Sequence, residues 1–300
     1  MPSKSSTGAN ADTAPPSPSA EVPPKPSDLK TRVLSAVVLA PPVLAAVWYG
    51  GRVFEGLMLL VAALSLWEWV RLIAPQARPL AWAMAVLFAL AIGGWAIVHG
   101  GASAVPVALV LSVAVAVLAP WISLGPALHY RRPALWLAFG LLYLGLAVAA
   151  LVYLRVETGE AGRGLFLFLL LAVWATDIGA YAAGRTIGGP KLMPRVSPKK
   201  TWAGLIGGVL AAALVGWMVA TWVLHAAAPG LVALVAAVLA VVGQAGDLLE
   251  SFIKRRSQVK DSGTLIPGHG GLLDRIDGLV AAALALAAFH GLSHEALPWW

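Results

Sequence analysis

The sequence predicts an all-α, polytopic integral membrane protein of about nine transmembrane helices. Three observations predict it. Of the 300 residues, 59% are hydrophobic and 12% charged, where a soluble domain carries roughly 25% charged residues. From Thr31 onward the apolar residues fall into runs of about 17–22, each able to cross a hydrocarbon core of roughly 30 Å as a helix. The cations cluster between those runs, so the net charge of +7 reads as membrane orientation and not as nucleic-acid binding. The chain has no cysteine, which excludes disulfides and thiolate metal sites.

The elements follow in chain order. Residues 1–28, MPSKSSTGANADTAPPSPSAEVPPKPSD, are rich in Pro, Ser and Ala. They hold too few large apolar residues to fold and lack the apolar core of a signal peptide, which predicts a disordered cytoplasmic tail. Residues 29–300 form the transmembrane domain, with spans expected near 33–50, 53–73, 80–98, 105–122, 134–154, 164–184, 203–224, 229–249 and 277–295. No Asp, Glu, Lys or Arg occurs from residue 79 to 130 or from 201 to 246, and each of these stretches is long enough for two spans. With the N-terminus inside, only Arg52, Arg155 and Arg163 of the 21 Lys and Arg residues fall outside, as the positive-inside rule demands. The polar loops 185–202 and 250–276 then face the cytoplasm from the inner membrane, where a soluble anionic substrate reaches them.

The carboxylates are unevenly placed. Glu55 and Glu68, in the first half, are placeable at an interface. Asp177 lies inside the apolar run LLLAVWATDIGAYAAGR, Asp247 lies toward the end of VVGQAGDLLE, and Asp274 and Asp277 open the last span in LLDRIDGLV. A carboxylate at membrane depth costs several kcal/mol unless it faces a polar cavity or a cation. Asp274 and Asp277, three apart, share a helix face, as do Asp177 and Tyr181, four apart. Paired carboxylates of this kind suit Mg²⁺, which binds through one or two carboxylates together with substrate phosphates. Arg275, between the pair, could instead neutralise part of their charge.

The two polar loops share a composition. One combines Gly263, Gly268, Gly270 and Gly271 with Lys254, Arg255, Arg256 and Lys260; the other combines Gly188 and Gly189 with Lys191, Arg195, Lys199 and Lys200, and adds Ser197 and Thr201. Glycines let backbone amides approach a phosphate, cations supply charge, and hydroxyls with free amides at a helix N-terminus bind anions. Orientation and anionic headgroups alone account for basic loops. They do not account for Gly-His-Gly-Gly running straight into Asp-x-x-Asp, which reads as polyphosphate plus divalent metal, the chemistry of phosphoryl or nucleotidyl transfer.

The stretch 251–277, SFIKRRSQVKDSGTLIPGHGGLLDRID, closely resembles the signature of the phosphatidate cytidylyltransferase family, the CDP-diacylglycerol synthases. Residues 174–185, WATDIGAYAAGR, and 197–204, SPKKTWAG, are also similar to the family. The motifs lie within residues 174–278; the N-terminal half matches in length and hydropathy, and the family does not require the tail. The resemblance implies transfer of a cytidylyl group from CTP to phosphatidic acid, giving CDP-diacylglycerol and pyrophosphate, with Mg²⁺ as cofactor. It implies CTP, phosphatidic acid and membrane lipids as partners, no nucleic acid, and leaves a homodimer open.

On that reading Asp247, Asp274 and Asp277 hold the metal, with Asp177 a weaker candidate. Lys199, Lys200 and Lys260 hold phosphates, seconded by Lys254, Arg255 and Arg275, with Ser197, Thr201, Gly270, Gly271 and Tyr181 also at the substrates. His269 could donate to a phosphate oxygen or shape the turn. Asp261 could ligate metal or pair with loop cations, and the latter is preferred. A CTP-dependent polyprenol or phytol kinase would use the same nucleotide but not the full signature. A CDP-alcohol phosphatidyltransferase would need an Asp-Gly-x-x-Ala-Arg start that is absent. A transporter would explain intramembrane aspartates but not the Gly-His-Gly-Gly loop.

Overall fold

Apolar runs with no water around them must satisfy every backbone group within the run, and helices do so. The computed structural model describes residues 27–75, 87, 94, 133–158, 161–223, 226, 228–266 and 270–293. Among these residues the chain forms α1 (Ser27–Tyr49), α2 (Gly51–Ile73), α3 (Pro133–Val152), α4 (Ala161–Thr186), β1 (Lys191–Met193), β2 (Ser197–Thr201), α5 (Trp202–Met218), α6 (Pro229–Arg256) and α7 (Leu273–Ser293). One π-helical turn extends α3 over Tyr153–Glu157 and another extends α5 over Val219–Val223. Six helices, α2 to α7, are long and apolar enough to cross a membrane. The expected spans 80–98 and 105–122, and the tail at residues 1–26, lie outside the described residues, so the count of about nine rests on the sequence alone.

The all-α expectation fails in one place. Loop 185–202 folds as a hairpin in which β1 and β2 pair antiparallel, with Lys191 opposite Thr201 and Met193 opposite Ser197. Gly188 and Gly189, at φ of 66° and 88°, turn the chain out of α4 with a conformation open to glycine at little cost. Pro194 then pre-sets the tight turn, in which the Val196 N–H donates to the Met193 carbonyl at 3.1 Å.

Side-chain contacts fix which helix ends lie together. The Ser257 hydroxyl at the end of α6 donates to the Leu72 carbonyl of α2 at 2.7 Å, and Glu68 of α2 meets the start of α7. At the opposite end, Arg155 donates to the carbonyls of Val47 and Trp48, at 2.5 and 3.0 Å, closing the C-terminus of α1. The Arg163 guanidinium lies 4.4 Å from the centroid of the Trp48 ring there, and the Tyr153 hydroxyl is 2.9 Å from Nδ1 of His290 in α7. Arg52, Arg155 and Arg163 therefore share one end, away from both polar loops.

The core runs between α2, α3, α4, α6 and α7. Phe54, Leu154, Leu165, Leu169, Leu239 and Leu286 are fully enclosed, and Phe54 meets Phe166 edge to face with centroids 5.0 Å apart. Small residues let the C-terminal helices approach more closely, as membrane helix pairs require without a hydrophobic drive between them. A Cβ on Gly243 of α6 would stand 3.3 Å from the Gly278 carbonyl oxygen of α7, and one on Gly278 would stand 3.4 Å from that of Gly243. This contact lies one turn from Asp247 and beside Asp277, and it draws those two residues onto one cavity.

Candidate active site

A cavity of about 270 Å³ opens between α4, α6 and α7. Its polar lining comprises Thr176 and Asp177 of α4, Gln244 and Asp247 of α6, and Asp274, Arg275 and Asp277 of α7. The four aspartates singled out in the sequence thus line one space, although up to 100 residues separate them along the chain.

Each aspartate has a different neighbourhood. Asp247 accepts an ion pair from Lys200 Nζ at 2.6 Å and a hydrogen bond from the Ser251 hydroxyl at 3.3 Å. Lys200 reaches across from β2 and also donates to Gln244 Oε1 at 2.8 Å. Asp277 takes the Gly278 N–H at 2.8 Å and lies beside Glu250. Asp274 is more heavily bonded: Lys254 Nζ donates to its Oδ1 at 2.6 Å, and the N–H groups of Ser262 and Gly271 donate to Oδ2 at 2.9 and 2.8 Å. Asp274 therefore staples the loop 257–272 onto α7 while one edge of it faces the cavity.

Behind Asp277 lies a second, much smaller cavity of about 10 Å³ lined by Trp69, Tyr143 and Glu250. Glu250 Oε2 takes Lys254 at 2.9 Å. Its other oxygen and the Tyr143 hydroxyl are buried with no hydrogen-bond partner among the described residues.

Several residues expected at the substrates have structural partners. Lys254 is committed to Glu250 and Asp274. Thr201 caps α5, its buried hydroxyl accepting the Gly204 N–H at 3.0 Å, as an N-terminal threonine does. Arg255 Nε donates to the Val196 carbonyl at 3.4 Å, holding the hairpin against α6. Tyr181 is 66% exposed, bonded to Arg185 at 2.7 Å, and does not line the cavity. Ser197 is half-buried in β2, while Lys199, Lys260 and Asp261 are exposed on the loops. Gly270 and Gly271 pack against carboxylates: a Cβ on Gly271 would stand 2.7 Å from Glu68 Oε2 and 1.9 Å from the Ser262 hydroxyl oxygen, and one on Gly270 would stand 2.8 Å from Asp274 Oδ2. His269 lies outside the described residues.

Gln244, Thr176, Glu250 and Glu68 were not anticipated at the site. Gln244 had a sequence signal, since it stands three residues before Asp247 and so shares its helix face. Glu68, expected at an interface, is fully buried and accepts hydrogen bonds from the start of α7.

The donor set fits a hard cation. The carboxylates that line the cavity offer oxygen ligands with no soft donor beside them, the chemistry that Mg²⁺ prefers. Among the described residues no three carboxylates or histidines converge on one point. An ion here would draw its remaining ligands from bound phosphates, the usual habit of Mg²⁺.

Comparison with known proteins agrees with this chemistry. A phosphatidate cytidylyltransferase from Brucella suis biovar 1 (strain 1330) is 40% identical over 275 residues, covering 90% of this chain and 96% of that protein. Proteins of the same name from Pseudomonas aeruginosa and Haemophilus influenzae are 37% and 36% identical, each over 87% of this chain. The relation reaches well beyond the C-terminal motifs, because the family model matches from residue 30 to residue 293. With the motifs, the gathered aspartates and this match over nearly the whole chain in agreement, the chain belongs to the cytidylyltransferase family.

Proposed function

We propose that this chain transfers the cytidylyl group of CTP to phosphatidic acid, forming CDP-diacylglycerol and pyrophosphate, in the inner membrane. The observation that carries the reading is the cavity itself, where Asp177, Asp247, Asp277 and Arg275 gather at the polar end of otherwise apolar helices and Asp247 is paired with Lys200. A phosphate-monoester oxygen of phosphatidic acid attacks the α-phosphorus of CTP, the bond to the β-phosphate oxygen breaks, and pyrophosphate leaves with that electron pair. The attacking monoester is already anionic near neutral pH, so no strong base is required, and alignment with charge neutralisation dominates. Bound Mg²⁺ would neutralise the polyphosphate charge, held by Asp247 and Asp277, with Asp177 on the facing wall. Asp274 would join them only by loosening its hold on Lys254 and the loop amides. Lys200, paired with Asp247, would exchange that carboxylate for a phosphate, and Arg275 lines the cavity. Lys199 and Lys260, exposed on the two loops, suit first capture of anionic CTP.

The test is incubation of purified protein with CTP, Mg²⁺ and phosphatidic acid, identifying both the lipid and the nucleotide product. CDP-diacylglycerol with pyrophosphate supports the reading; CDP with a doubly phosphorylated lipid would replace it by the kinase reading. The orientation has its own test in a chain without cysteine. Cysteines at Lys199 in the hairpin and Arg52 at the opposite end should react from opposite sides of sealed vesicles, Lys199 from the cytoplasmic side. Reaction of both from one side would sink the topology.

A further inference from the structure

The residue that sets the start of α7 comes from the other half of the chain. Glu68 of α2 is 0% exposed. Its Oε1 accepts the N–H of Leu272 at 2.9 Å, and its Oε2 accepts the N–H of Leu273 at 2.8 Å and the Ser262 hydroxyl at 3.0 Å. The first N–H groups of a helix have no partner within it, and a carboxylate there also meets the positive end of the helix dipole. Glu68 thus caps α7 from outside while tying down the loop that precedes it. Asp274, Arg275 and Asp277 all lie in the first turns of α7 and all line the cavity, so the bonds to Leu272 and Leu273 fix the point from which they project.

We infer that Glu68 is a positioning residue for the transfer reaction: it touches neither substrate nor metal, and it places Asp277 and Arg275 by holding the N-terminus of α7. The inference rests on the reading of the cavity as the reaction centre. A carboxylate is required by the count of donors. Its two oxygens take three hydrogen bonds, whereas a glutamine has one acceptor oxygen and would turn an NH₂ group toward N–H or O–H donors. Gly271 leaves room for the arrangement, since a Cβ there would stand 2.7 Å from Glu68 Oε2. Displacement of a catalytic group by about 1 Å costs on the order of 10²-fold in rate, so even partial release of α7 registers in turnover.

The test compares Glu68→Gln with Glu55→Gln. Glu55 is the other buried glutamate of α2, lies at the opposite end and pairs with Arg52 at 3.2 Å. For each variant, kcat, the KM for CTP, the Mg²⁺ concentration at half-maximal rate, detergent melting and amide exchange over residues 262–277 are measured. Glu68→Gln is expected to lower kcat by about tenfold or more, to raise the Mg²⁺ requirement and to speed exchange at the start of α7. Glu55→Gln is expected to keep kcat within about twofold even if it melts as early. Ser262→Ala, which removes one of the three donors, should show a smaller loss of kcat of the same kind, and it serves where Glu68→Gln fails to fold. Wild-type kcat and Mg²⁺ dependence in either variant would overturn the inference, as would equal losses in Glu68→Gln and Glu55→Gln. Asp277→Asn, assayed beside them, separates the two claims: if it is inactive while Glu68→Gln is normal, the positioning role falls and the reaction centre stands.

Discussion

The hairpin 188–201 and the stretch 254–272 both combine glycines with cations, in opposite order along the chain, and the structure employs them differently. In the hairpin the glycines make the turn out of α4, with no atom near a Cβ at Gly188 or Gly189. Lys191, Arg195 and Lys199 stay exposed, and Lys200 alone of its lysines turns in toward Asp247. In the loop the glycines serve close packing, Gly271 on Glu68 and Ser262, Gly270 on Asp274. Lys254, at its entry, is locked between Glu250 and Asp274. A glycine-and-lysine motif therefore does not by itself report phosphate contact. The distinction lies in whether the glycine's empty side faces open space or a buried carboxylate.

The largest expected effect tests the end of the second loop, where two aspartates one helical turn apart do different work. On the proposed reading Asp277→Asn removes an anionic ligand of Mg²⁺, so it should cut turnover by about 10²-fold or more, with the Mg²⁺ dependence altered and melting little changed. Asp274→Asn takes one acceptor from a carboxylate that holds Lys254 and two backbone amides. Leaving a buried lysine and amides poorly paired costs about 1–3 kcal/mol or more, so this variant should melt markedly earlier as well as lose activity. Equal melting of the two, measured in detergent with turnover across a Mg²⁺ titration, would erase the division of labour.

A smaller effect sharpens the comparison inside the hairpin. Lys200→Ala removes the cation that spans Asp247 and Gln244, and turnover should fall by about tenfold. Its neighbour Lys199, exposed on the other face of β2, should affect chiefly the KM for CTP, within about threefold on replacement by alanine, and more at low salt, since exposed charges are screened. Steady-state kinetics at two ionic strengths decides it. A kcat loss for Lys199→Ala as large as that for Lys200→Ala would mean that the strand turns over when substrate binds.

These contrasts mark how far the sequence could be read. The helices were legible because apolar length and charge placement are local properties, and the ends of α2, α4, α6 and of α5 with its π-helical turn fall within a few residues of the expected spans, except where α6 runs on to Arg256. The gathering of Asp177, Asp247, Asp274 and Asp277 was legible because a carboxylate in an apolar run must face something polar. The partners were not legible. The bond from Leu272 to Glu68 joins residues 204 apart in sequence, and it exists because of how α2 and α7 pack, which no spacing encodes. The hairpin was missed for a related reason: Lys-Leu-Met and Ser-Pro-Lys-Lys-Thr carry little strand propensity, and α5 and α6 supply the surface against which they pair.

The smallest expected effect concerns the glycines that prompted the comparison. Gly271→Ala would drive a Cβ to 1.9 Å from the Ser262 oxygen and 2.7 Å from the Gly263 backbone nitrogen. The backbone on one side cannot yield without moving the loop, so overpacking should cost about 1–3 kcal/mol, seen as earlier melting with reduced turnover. Gly189→Ala meets no atom, and its penalty is the φ of 88°, a left-handed conformation that costs a residue with a Cβ about 1–2 kcal/mol. Part of that is offset because alanine also restricts the unfolded chain. Gly189→Ala should therefore melt only slightly early and turn over at the wild-type rate. Turnover is the decisive reading. If Gly189→Ala loses as much kcat as Gly271→Ala while melting normally, the open side of the hairpin glycines is where a phosphate approaches the backbone. The two loops would then share a function as well as a composition.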